Sequence, residues 1–297
     1  MKPEILGPIR QVYGDAAISL RRNSTQPRLI TSDNVYQEAN AVNRRIIHSA
    51  LDDLLLPGSG ILHSEHLVDL RERSQQGASC LILMEHYSNF DIPCLYYLLE
   101  KTGLQHIADE IIAIAGMKLN EESEFVNAFA EAYTRLVIYP SRSLLKYEDS
   151  QELEQERARS REINRAATRQ MIRLKHEGRI VLLFPAGTRY REGNPDTKRG
   201  VKEVDSYLKL FDYTVLVGVA GNVLRINPNG DMSEDLATRD LVLINASQPI
   251  PCREFRETVR QNTPEDVDAK QYAADRVMDE LEKVHEETER ERIRRLS

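Results

Sequence analysis

From Ala78 onward the chain alternates short apolar runs with longer stretches whose apolar positions recur every third or fourth residue. That alternation is what strands interleaved with helices look like in sequence. A strand covered on both faces is apolar throughout, and its connecting helix is apolar on one side only. The pattern predicts strands over 79–84, 111–115, 135–139, 179–184, 214–219 and 241–245, and helices over 92–101, 123–133, 160–177, 205–211 and 267–297. Residues 1–77 have few β-branched runs. There, Ala39, Val42, Ile46, Ala50 and Leu54 make one apolar face of a helix over 34–56, stopped by Pro57, Gly58 and Gly60, and a second amphipathic stretch covers 65–76. The expected architecture is α/β: a mixed, largely parallel sheet flanked by helices in a domain at 78–297, preceded by a small helical domain at 1–77. The stretch 146–161 mixes both signs of charge and reads as a solvated helix face or connection, and 280–295 reads as a solvated helix or frayed tail.

Several classes fall away on composition. No apolar run approaches the roughly 18 residues a membrane span requires. Residues 1–10 lack the features of a signal peptide, so a soluble, cytoplasmic chain is expected. A net charge of −7 speaks against nucleic acid as a partner. Cys80, Cys94 and Cys252 show no metal-finger or redox spacing and read as buried small hydrophobes. The segment His63-Ser64-Glu65-His66 brings two imidazoles and a carboxylate together, but beside a glycine-rich turn it reads as exposed. Neither a metal nor a bound cofactor is expected.

Ligands in open α/β sheets gather at the carboxyl ends of strands, so the residues just beyond each predicted strand matter most. Beyond the strand at 79–84 comes Glu85-His86-Tyr87-Ser88-Asn89-Phe90-Asp91. Two readings of it stand. In one, Asp91 reaches back from the first helical turn to orient His86 as a general base. In the other, Ser88 and Asp91 only cap the helix. Beyond the strand at 179–184 comes Pro185-Ala186-Gly187-Thr188-Arg189-Tyr190-Arg191. Its two guanidiniums either fork onto a phosphate or pair with Glu192 or Asp196 at the surface. A third strand end offers Arg142, and Lys198 lies in a later loop.

The order of these segments resembles the glycerol-3-phosphate and lysophosphatidate acyltransferase family. The first block of that family is His, four residues, then Asp, met here by His86 and Asp91. Another is Phe-Pro-Glu-Gly-Thr-Arg, met by Phe184-Pro185-Ala186-Gly187-Thr188-Arg189 at all but one place. The likeness is greatest to the soluble plastid-type glycerol-3-phosphate acyltransferases, which carry a helical amino-terminal domain, lack the glutamate and have Arg-x-Arg, as Arg189 and Arg191 do here.

The resemblance implies direct transfer of a fatty acyl group from acyl-CoA or acyl-carrier protein to a hydroxyl of glycerol 3-phosphate. His86 and Asp91 would be catalytic, and Arg142, Arg189 and Arg191 would bind phosphate. Ser88, Gly187 and Thr188 are candidate supports, and Lys198 either helps to hold a phosphate or lies in a solvated loop. Lysophosphatidate as acceptor, hydrolysis of a thioester or lipid ester, and lipid binding without turnover remain as alternatives. An amphiphilic product suits a peripheral membrane contact. The chain departs from the family at Glu85, where the family has Asn, at Ala186, and at Ser143, where the plastid type is basic.

Overall fold

The computed structural model describes residues 2–147, 150–228 and 232–297. The strands in chain order are β1 Glu4–Pro8, β2 Tyr36–Gln37, β3 Gly60–Leu62, β4 Cys80–Met84, β5 Ile111–Gly116 and β6 Arg135–Ile138. They continue with β7 Ile180–Leu183, β8 Tyr213–Ala220, β9 Leu224–Arg225, β10 Leu236–Arg239, β11 Leu243–Ala246 and β12 Ile250–Pro251. The helices are α1 Ile9–Val12, α2 Gly14–Arg22, α3 Ala41–Leu54, α4 Ser64–Gln75, α5 Asp91–Lys101 and α6 Gln105–Ala108. After them come α7 Lys118–Glu121, α8 Glu124–Ala130, α9 Ser150–His176, α10 Val204–Leu210, α11 Cys252–Gln261 and α12 Ala269–Leu296.

The main sheet runs β2-β6-β5-β7-β4-β8-β11-β3, with β12 on the edge of β8. Its middle, from β6 to β8, is parallel, and β8 pairs antiparallel with β11. The sheet is therefore mixed and largely parallel, flanked by helices on both faces, as expected. Alternation along the strands feeds two cores. Cys80, Ile82 and Met84 pack with Leu67, Leu95 and Leu99 on the side of α4 and α5. Leu81 and Leu83 pack with Ile163, Met171 and Leu281 on the side of α9 and α12. Burying such a side chain fully is worth about 1.5–3 kcal/mol, and Leu81, Ile82 and Leu83 are all fully buried. A separate three-stranded antiparallel sheet, β1-β10-β9, stands beside this body. Among the described residues no helix is long and apolar enough to cross a membrane.

Three departures from the expected elements have local causes. The helix predicted from 34 begins at Ala41, because the Asn40 side chain accepts hydrogen bonds from the N–H groups of Val42 and Asn43 and caps it there. The residues before it enter the sheet as β2. Residues 1–77 thus carry short strands as well as helices, and β3 pairs in parallel with β11. Helix α9 starts ten residues ahead of its predicted start at 160, its first turns rich in Gln, Glu, Leu and Arg. Residues 148 and 149 of the 146–161 stretch lie outside the described residues.

Candidate active site

Strand β4 delivers Glu85 and His86 at its carboxyl end, and α5 begins five residues later at Asp91. Asp91 is 4% exposed, and its Oδ2 accepts from the N–H groups of Tyr87, 2.7 Å, and Ser88, 2.8 Å, as well as from His86 Nδ1, 2.9 Å. It therefore pins the loop that precedes its own helix and the imidazole at once. A carboxylate can only accept, so the proton sits on Nδ1, and the Nε2 lone pair takes no part in that bond. Ser88 is buried, with its hydroxyl bonded to Leu224 O and accepting from Phe90 N–H.

The second strand end meets the first directly. The His86 ring stacks on Phe184, and the His86 carbonyl accepts from Tyr190 N–H at 2.7 Å. Gly187 follows with φ +61°, where a Cβ would stand 3.0 Å from Arg142 Nη2, so glycine lets that guanidinium close over the turn. Arg142 Nη2 donates to Ala186 O at 3.2 Å. The Gly187 N–H is itself engaged with Phe184 O at 2.9 Å, and Thr188 is half-buried in the same turn.

His86, Phe184, Gly187 and Arg142 line one cavity of about 510 Å³, within the range of small-molecule sites. Its walls are mostly apolar, including Ile92, Ala115, Phe129 and Met171, so it suits a hydrocarbon chain ending beside an imidazole.

The other cations expected here do not converge on it. Arg189 forms an ion pair with Asp235, with both side chains largely buried. That partner lies far along the chain, where the surface-turn reading had looked to Glu192 or Asp196. Arg191 is exposed, and its N–H donates to Thr197 Oγ1. The Lys198 ammonium pairs with Glu282 and stands 5.7 Å over the Tyr190 ring. At 63–66, ligand-type atoms of His63, Glu65 and His66 come within 4.8 Å of one another. His63 and Glu65 are exposed, and His66 Nδ1 donates to Ala246 O.

Sequence reasoning missed a buried cluster on the opposite side of the same loop. Glu85 accepts from Tyr87 hydroxyl at 2.9 Å, from Val219 N–H at 2.9 Å and from His285 Nδ1 at 3.0 Å. His285 comes from α12, two hundred residues away. Glu85 itself was visible only as a departure from the family's first block.

Residues 66–218, just over half of the chain, match the family model described as Acyltransferase. The stretch runs from within α4 to within β8 and includes both strand-end segments. The comparison with curated proteins finds no match.

Proposed function

The chain belongs to the Acyltransferase family, and from that premise we propose that it acylates a hydroxyl of glycerol 3-phosphate using acyl-CoA or acyl-carrier protein. His86 Nε2 takes the hydroxyl proton as the oxygen attacks the thioester carbonyl. The tetrahedral centre then collapses, the C–S bond breaks, and the imidazolium returns the proton to the leaving thiolate. Asp91 keeps the proton on Nδ1 and faces the imidazolium when it forms. The observation that carries this reading is the Asp91–His86 contact of 2.9 Å on a ring lining an apolar cavity.

Arg142, at the cavity wall, supports phosphate binding as it stands. Arg189 would reach an acceptor phosphate by leaving Asp235, and Arg191 by turning in from solvent. The plastid-type assignment, and with it glycerol 3-phosphate over lysophosphatidate, rests on Arg189-x-Arg191 and on Ala186 in place of glutamate.

The test is transfer of a labelled acyl group from each thioester donor to each acceptor. Glycerol 3-phosphate should be the better acceptor, and His86→Ala should lose about 10² to 10⁴-fold in rate. Arg142→Ala should raise the KM for the acceptor and leave that for the donor alone. Free acid released at the same rate without acceptor would make the protein a hydrolase.

A further inference from the structure

Resting on the reading of His86 as the base, we propose that Glu85 and His285 form a positioning pair through which the carboxy-terminal helix sets where the His86 imidazole stands. Glu85 and His86 are neighbours that point opposite ways from the end of β4, one toward α12 and the other into the cavity. Glu85 is locked on its side by β8. Its N–H donates to Val217 O at 3.0 Å, and its carboxylate accepts from Val219 N–H. The remaining bonds to that carboxylate come from Tyr87 and His285. Residues 85 and 87 therefore both contact one imidazole on α12, with His285 Nδ1 3.0 Å from the Glu85 carboxylate and 3.4 Å from the Tyr87 hydroxyl, and residue 86 lies between them.

The approach of α12 is built for this contact. A Cβ on Gly218 would stand 3.0 Å from Val284 Cγ1 and 3.1 Å from His285 N, so the glycine lets the helix backbone ride against β8. Glu85, at 4% exposure, leaves little water to replace a lost partner. His285 faces Glu85 and Tyr87 on the loop, Lys198 from the segment ahead of α10, and Glu282 on its own helix. Burial works against the imidazolium, yet the hydrogen bond to Glu85 and its charge outweigh that, and the His285 pKa stands above its ordinary value. The His285 imidazolium is thus favoured below that raised pKa, and its charge on Glu85 is lost as pH rises through it.

The experiment measures kcat and both KM values against pH for the full chain and for Glu85→Gln, His285→Gln and the double variant, with acyl-CoA and glycerol 3-phosphate. Each single variant should lower kcat about 10- to 100-fold, the cost of misplacing a reacting group by about an ångström, with KM little changed. The double variant should be no worse than the weaker single. The parent's kcat should fall on the alkaline side, and that limb should vanish in His285→Gln. Parent-level kcat in both singles, or an alkaline limb that survives in His285→Gln, overturns the proposal.

The His285 side chain is 23% exposed, so His285→Gln carries the test if Glu85→Gln does not fold. NMR of the His86 ring in that variant reads the same point without turnover, and unshifted resonances overturn it. His86→Ala separates the two ideas. Turnover that survives it removes the base and the pair together. Turnover that it abolishes, but that both pair variants keep at parent level, removes the pair alone.

Discussion

The imidazole of His86 lies flat against the ring of Phe184, with centroids 3.8 Å apart and planes 11° from parallel. The two residues stand at the ends of neighbouring parallel strands, β4 and β7. The stack fixes the one ring rotation that the Asp91 bond leaves free. Phe184→Ala should therefore lower kcat by about tenfold through loss of orientation, with acceptor KM unchanged in the same assay.

Asp91→Asn should cost more. The same Oδ2 takes the Tyr87 and Ser88 N–H groups and the ring, so the amide oxygen of Asn would stand there and keep the proton on Nδ1, but no negative charge would face the imidazolium as it forms. A fall of about 10² to 10⁴-fold in kcat is expected, with circular dichroism unchanged and the His86 proton still on Nδ1 in NMR. Wild-type kcat would show that the carboxylate only shapes the loop.

Away from the site, Arg256 grips Asp205 through two hydrogen bonds of 2.7 and 3.1 Å, both side chains buried. Asp205→Ala strands the guanidinium between α10 and α11 and should cost about 3–5 kcal/mol in urea unfolding. Neither side chain lines the cavity, although Val204 and Tyr207 of the same helix do, so stability should fall further than kcat measured at low temperature.

The three thiols should be inert in the folded chain. Burial pushes the Cys80 and Cys252 thiols up to about 12 and raises Cys94 well above its ordinary value. A thiolate is the reactive form, so Ellman's reagent at mildly alkaline pH should label none of the three before denaturation and all of them after it.

The middle of the sheet was legible because β4, β5, β7 and β8 are buried on both sides and so are unbroken apolar runs. The loop from His86 to Asp91 was legible because both partners are close in sequence. What escaped lacked a local signal. Strands β2 and β12 are two residues long, and β3 three, too short for any periodicity. Helix α11 buries only Cys252, Arg256 and Val259. The partners of Glu85 and Arg189, His285 and Asp235, are chosen by how distant segments fold together, which spacing along the chain does not encode.

Strand β3 is made early but has β11 as its neighbour, so residues 60–62 reach their place only when residues 243–246 have been synthesised. Until then the nascent chain holds an unfinished sheet whose β8 edge lies open, the kind of long-range closure that folds slowly and invites aggregation. Ribosome-bound intermediates stopped short of β11 would depend on chaperones in a way the finished polypeptide does not.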